Sequence, residues 1–305
     1  ELPVVPGPGG IGRVRATGPD ATRLSPGMWV YLDPTLRSRD NAVWPDTALQ
    51  GWTYRSPAAL PLHRFYHHGS FAEQTLVPTE NVTPIGDIDP ADAGRWCALG
   101  HLLVPYGGLL AIGFRAGETL VVNGATGGFG SAGVAAALAM GAARVVATGR
   151  NERSLEILAR LSPRVSVVAV TGDEEDDRRR ITAAAAGPVD CVLDLLPRMA
   201  SAAQVQAAAL AVRPGGRIVL MGGVGRTDGA ELTLPYNWLM HNNITVRGQW
   251  MYPRDATARM VQLVRAGLVD LSVFELTEFG LDDANEAIAH AADSAGPLQL
   301  TVLRP

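Results

Sequence analysis

The chain has 305 residues, 47% hydrophobic and 18% charged, with a formal net charge of −4. This length suits about two domains with a large buried core, and the weakly acidic balance gives no reason to expect nucleic acid or an anionic membrane as a partner. All 26 basic residues are arginine, which excludes lysine Schiff-base chemistry, pyridoxal phosphate, the P-loop and a Tyr-Lys proton relay. The two cysteines, Cys97 and Cys191, lack disulfide-scaffold or metal-site spacing, so both are expected to pack as small apolar groups in a cytoplasmic protein.

Residues 1–90 are rich in proline, glycine and aromatic residues. Leu2 to Val5 reads as the approach to a strand. Short β-like runs follow at Ile11–Ala16, Met28–Leu32 and Phe71–Val77, separated by turn signals such as Pro6-Gly7, Gly18-Pro19 and Ser25-Pro26-Gly27. The stretch from Asp33 to His68 has little periodicity and is expected to be an irregular excursion. Asp89-Pro90 then opens a capped helix over Ala91–Leu103.

From there strands and helices alternate. Strands are expected at Thr119–Val122, Arg144–Ala147, Val165–Val170, Val189–Leu195, Arg217–Met221 and Ile244–Val246. Helices are expected at Gly130–Met140, Ser154–Leu161 and Ala200–Val212, with a turn at Pro214-Gly215-Gly216. The run Asp173–Arg180 reads as a solvated loop or helix face. Apolar strands joined by helices give an α/β fold with a doubly wound parallel sheet of Rossmann type. Amphipathic helices at Asp255–Ala266 and Leu281–Ala291 and a strand at Leu298–Leu303 close the chain.

The motif that carries chemistry is Gly124-Ala125-Thr126-Gly127-Gly128-Phe129-Gly130, between a strand and a helix. That context turns a glycine pattern into a dinucleotide cradle rather than a ligand-free turn. Gly127 permits the tight turn, Gly128 and Gly130 permit close backbone approach, and the helix start offers free N–H groups to a pyrophosphate. Thr126 and Phe129 belong to the same cradle. The next strand ends in Thr148-Gly149-Arg150-Asn151. No carboxylate stands there to bond a ribose 2′-hydroxyl, and Arg150 offers a charged fork for a 2′-phosphate, with Arg153 one turn on. The cofactor expected is NADP(H); the alternative for Arg150 is an ordinary surface arginine.

Several segments in order resemble the medium-chain dehydrogenase/reductase superfamily of alcohol dehydrogenases and quinone reductases. Gly7-Pro8-Gly9-Gly10-Ile11-Gly12 is similar to its G-H-E-x-x-G turn, Pro26-Gly27-Met28-Trp29-Val30 to its P-G-D-x-V, and Gly69-Ser70-Phe71-Ala72-Glu73 to its G-x-F-A-E. Tyr106-Gly107, Gly141–Val146 and Arg213–Gly216 also fit. The resemblance implies a GroES-like, mostly β catalytic domain at residues 1–101 and 251–305 around a Rossmann domain at 102–250, with the N-terminal part of the GroES-like domain missing. It implies an active site in the cleft between the domains and a homodimer, with the strand Ile244–Val246 as a candidate edge.

In that family the catalytic zinc is held by the His of G-H-E and a Cys before the Tyr-Gly. Here those slots hold Pro8 and Gly100, and the Glu slot holds Gly9. None of the three can ligate zinc. The closely spaced cysteines of the structural zinc lobe are absent too. The chain thus resembles the zinc-independent, quinone-reductase-like branch, which implies NADPH-dependent reduction of a quinone, enone or other activated carbonyl compound. An alcohol dehydrogenase or ketone reductase, and a non-catalytic NADPH-binding protein, stay open as alternatives. By resemblance Gly222, Gly223 and Val224 lie near the nicotinamide. Trp250 and Met251 line the substrate pocket or pack a dimer. The catalytic acid is unassigned: His101 follows the vacant zinc slot, against a reading as a satisfied histidine at a helix end. Tyr106 reads as structural. His63, His67 and His68 crowd one aromatic loop, where solvated side chains are favoured over a metal site.

Overall fold

The computed structural model describes residues 3–224 and 231–305. Leu2, part of the expected strand approach, lies outside the described residues. The N-terminal part contains β1 (Gly10–Arg13), β2 (Trp29–Leu32), β3 (Thr35–Arg37), β4 (Thr47–Leu49), β5 (Thr53–Tyr54), the short helix α1 (Leu60–Phe65) and β6 (Val82–Pro84). Antiparallel pairing joins β1, β2 and β6 in one sheet and β3, β4 and β5 in another.

Two expectations fail here. Residues 33–68 are not irregular: they hold β3 to β5 and α1. Phe71–Val77 is not a strand. Its first residue donates its N–H to the Pro6 carbonyl at 3.0 Å, so this stretch folds back on the chain start, and β6 takes the edge place beside β2.

Asp89 caps the next helical stretch as expected, accepting from the Ala91 N–H at 2.9 Å. The helix is broken, however, into a 3₁₀ turn, α2 (Ala93–Trp96) and α3 (Leu99–Ala111). The expected domain boundary at residues 101/102 falls inside α3, whose buried face carries Leu99, Leu102, Leu103 and Tyr106. Pro105 sits within it.

The Rossmann part follows as β7 (Thr119–Asn123), α4 (Gly128–Ala139), β8 (Arg144–Gly149), α5 (Glu152–Ala159), β9 (Val165–Ala169), α6 (Glu174–Ala185), β10 (Val189–Asp194), α7 (Ala202–Ala209), β11 (Val212–Leu220), α8 (Tyr236–His241) and β12 (Thr245–Gly248). The six strands form one parallel sheet in the order β12-β11-β10-β7-β8-β9. Leu120, Val121 and Val122 are fully buried because helices cover both faces. The expected turn at Pro214–Gly216 is instead a bulge within β11, where the register with β10 jumps between Val189 and Cys191.

The chain closes with α9 (Ala256–Arg265), β13 (Glu275–Gly280), α10 (Ala284–Asp293) and β14 (Gln299–Arg304), the two strands pairing in parallel. The strand β13 was not anticipated. No helix among the described residues is long and apolar enough to cross a membrane.

Candidate active site

Strand order reverses between β7 and β10, one strand running out to β8 and β9 and the other to β11 and β12. Open parallel sheets bind ligands at the carboxyl ends of strands at such a switch point. A cleft of about 1140 Å³ opens there, large enough for a dinucleotide and a small substrate together. One wall is the glycine loop with the ends of β8, β10 and β11, and the other includes Pro8, Tyr31 and Trp52 from the N-terminal part.

Thr126, Gly127, Gly128, Phe129 and Gly130 all border the cleft. Helix α4 starts from Gly127 in extended conformation, with no side chain capping it. Its first N–H groups therefore lack intrahelical partners, at the border of the cleft. The loop is fixed from beneath: Ala125 N–H donates to the Thr148 carbonyl at 2.8 Å, and Gly124 N–H to Thr148 Oγ1 at 3.2 Å.

Gly149, Arg150, Gly222, Gly223, Trp250 and Met251 also line the cleft. Asn151 does other work: its side chain caps α5, accepting from Ser154 N–H at 3.1 Å. Val224 is not among the lining residues, while Arg198, unforeseen in the sequence, is. Met251 holds a left-handed φ of 59°, a conformation that β-carbon-bearing residues adopt at some energetic cost and that recurs at functional sites.

A polar ladder unseen in the sequence runs under the cleft. Thr148 Oγ1 donates to Asn123 Oδ1 at 2.8 Å, and Asn123 Nδ2 donates to Asp194 Oδ1 at 2.9 Å. Asn123 and Asp194 end β7 and β10, Thr148 is the last residue but one of β8, and all three are nearly fully buried. Burial pushes the Asp194 carboxyl up from 3.8 to about 7, against the lowering effect of its hydrogen bonds to Asn123 and Leu196. The unfolded chain then releases this proton before the folded one does. Stability is therefore greatest below the unfolded value and falls as pH rises from about 4 to about 7. Asp194→Asn is expected to flatten that fall and to stabilise the chain at neutral pH by roughly 2 kcal/mol, read as urea midpoints across that range.

His101 leaves the catalytic role unfilled. Its ring packs edge-on against Phe129, centroids 5.5 Å apart, and its Nε2 lies 3.7 Å from where a Cβ on Gly128 would stand. It braces the back of the glycine loop, is not a lining residue, and burial lowers its pKa. Tyr106 is buried on α3, in keeping with a packing role.

The other expected bystanders are placed as follows. His68 Nδ1 accepts from Val5 N–H at 3.1 Å, His67 Nε2 lies 2.8 Å from the Pro3 carbonyl, and His63 stacks between Tyr54 and His67. Among the described residues no group of three or more His, Cys, Asp or Glu side chains is arranged to hold a metal. Burial pushes the thiols of Cys97 and Cys191 up to about 11 and about 12, which makes both poor nucleophiles. Pro8 and Gly100 border the cleft, so the places where the resemblance puts zinc ligands face the cavity without a donor atom. The residues present do not fit a catalytic zinc.

Residues 128–266 match the family model "Zinc-binding dehydrogenase". The chain is 28% identical over 310 residues to the L-arabinitol 4-dehydrogenase of Aspergillus niger, covering 96% of this chain and 75% of that one. The structure of the alcohol dehydrogenase TADH from Thermus sp. ATN1 superposes with a TM-score of 0.79 at 22% identity, over 99% of this chain and 86% of that one. A zinc-binding dehydrogenase structure from Sinorhizobium meliloti 1021 bound to NADP superposes with a TM-score of 0.74 at 19% identity, covering 97% and 82%. These likenesses run to alcohol and polyol dehydrogenases and do not single out the quinone-reductase branch. In fold the chain is similar to alcohol dehydrogenases over nearly its whole length, and its central residues 128–266 match the zinc-binding dehydrogenase model.

Proposed function

We propose that the chain is an NADP(H)-dependent oxidoreductase acting on a carbonyl–alcohol couple, and that it works without the catalytic zinc of its relatives. The observation that carries this reading is the make-up of one cleft: glycine loop, Arg150 and carboxylate-free strand end on one side, donor-free Pro8 and Gly100 on the other. The N–H groups at the start of α4 hold the pyrophosphate. Arg150 pairs with the 2′-phosphate, and Arg198 adds a second guanidinium to the cleft. Gly222 and Gly223 let the backbone close on the nicotinamide end. Trp250 and Met251 exclude water and shape the substrate side. A nicotinamide held there would supply the hydride for the carbonyl–alcohol couple.

A second reading, reduction of a quinone or enone, is favoured by the missing metal donors, because conjugation spreads the charge a Lewis acid otherwise carries. We further propose that the chain is a homodimer joined along β12, an edge of the sheet whose four residues are all exposed; a single-chain mass by multi-angle light scattering would refute this.

The deciding experiment follows NADPH and NADH oxidation against aldehydes, ketones, enones and quinones. The expected result is turnover with NADPH favoured over NADH by about tenfold or more. A preference for NADH overturns the cofactor reading, and tight NADPH binding without turnover favours a non-catalytic role.

A further inference from the structure

Tyr31 is the least expected residue of the cleft wall. It lies on β2, is 1% exposed, and still borders the cavity together with Gly100 and Pro8. A Cβ placed on Gly100 would stand 3.9 Å from its hydroxyl oxygen, with no other side chain within 4 Å. The phenol thus points into the space that the absence of a side chain on α3 leaves open.

A polar assembly stands behind the hydroxyl. Tyr252, which also borders the cleft, donates its own hydroxyl to Asp33 Oδ1 at 2.8 Å. Asp33 also accepts from the Thr35 N–H at 2.8 Å and pairs with Arg37 at 3.7 Å. Arg37 in turn donates to the Tyr252 carbonyl at 2.6 Å. This assembly ties β2, β3 and the segment after β12 together behind one hydroxyl. Since Tyr252 gives its proton to Asp33, it has none to give Tyr31, and rotation about one C–O bond turns the Tyr31 proton towards the cavity.

Resting on the carbonyl–alcohol reading above, we propose that the Tyr31 hydroxyl donates the hydrogen bond that holds the substrate's oxygen, at the point where Gly100 leaves room for it. The phenol keeps its own proton, and the proton that completes the alcohol comes from solvent water. Its role is to stabilise negative charge growing on that oxygen, in a dry and prearranged place. Burial, and then the nearby Asp33 charge, hold the phenol well above its ordinary range, so it remains a neutral donor at every working pH. Tyr252, Asp33 and Arg37 are positioning residues.

The test compares wild-type chain with Tyr31→Phe and Gly100→Val, each checked for an unchanged melting transition. NADPH affinity is measured by fluorescence, turnover with benzaldehyde, cyclohexenone and menadione, and binding of benzamide, a carbonyl that hydride does not reduce, to the NADPH-bound protein. In Tyr31→Phe, NADPH affinity is expected to stay within about twofold while kcat falls about 10²-fold and benzamide binds up to about tenfold more weakly. Gly100→Val keeps the phenol but fills the space before it, and is expected to lose benzamide binding while keeping NADPH. Should none of the three probes be reduced by wild type while benzamide binding still depends on Tyr31, the oxidoreductase reading falls and the Tyr31 assignment stands. Equal kcat and equal benzamide affinity in wild type and Tyr31→Phe overturn the assignment, as does a wild-type chain that neither turns over the probes nor binds benzamide.

Discussion

Gly130→Val is expected to abolish NADPH binding and to destabilise the chain by about 3 kcal/mol or more. A Cβ at this position would fall on the Gly124 carbonyl oxygen and within 2.7 Å of Ala125 Cα. Both contacts are backbone, and neither can retreat. Ala125 is tied to the Thr148 carbonyl and Gly124 to the Thr148 hydroxyl, which itself belongs to the buried ladder with Asn123. Helix α4 has to move outward instead, and it takes the anion-binding N–H groups with it. The contrast lies three residues earlier. A Cβ on Gly127 meets nothing within 4 Å, so Gly127→Ala is expected to hold stability within about 0.5 kcal/mol. Urea denaturation and NADPH fluorescence titration on both variants separate the packing role of Gly130 from a general intolerance of the loop.

Arg150→Ala is expected to weaken NADPH binding by roughly 10- to 150-fold and to leave NADH binding unchanged. Hydrogen bonds to a charged group are worth about 1.5–3 kcal/mol, which gives that range. Arg150 borders the cleft but is exposed, so salt screens part of its effect. The NADPH affinity of the wild type should accordingly fall with ionic strength, and this slope should flatten in the variant. A variant that keeps its NADPH affinity, or loses NADH and NADPH binding alike, contradicts a 2′-phosphate role for Arg150.

The sequence was most readable where physics is local. Buried strands such as Thr119–Asn123 announce themselves as apolar runs, and the glycine loop stands out because it lies between strand and helix. Asp89 reads as a cap because its side chain bonds two residues on. The stretch from Asp33 to His68 was opaque for the opposite reason. Strands of two or three residues are too short for alternation to register, and they are fixed by pairing with one another. The strand Glu275–Gly280 is partly exposed along its length and exists through parallel pairing with the last strand, a partner no local pattern names.

The site divides along the same line. Its glycine-loop half lies in contiguous motifs, and those residues meet at the cleft. Its polar half is assembled at a distance. Tyr252 meets Asp33 across 219 positions, and Asn123 meets Asp194 across 71. A one-residue change in strand register would separate the second pair. The vacancy at Gly100 was visible in the sequence, but the Tyr31 hydroxyl facing it was not.

Hydride transfer with NADP(H) at a site that needs no zinc is tested by the rate of NADPH-dependent carbonyl reduction by chelator-treated protein, before and after zinc is restored, with bound metal quantified in the same samples. Turnover is expected to be unchanged by zinc, with metal well below one ion per chain. Activity that is lost on chelation and returns only with stoichiometric zinc would contradict it.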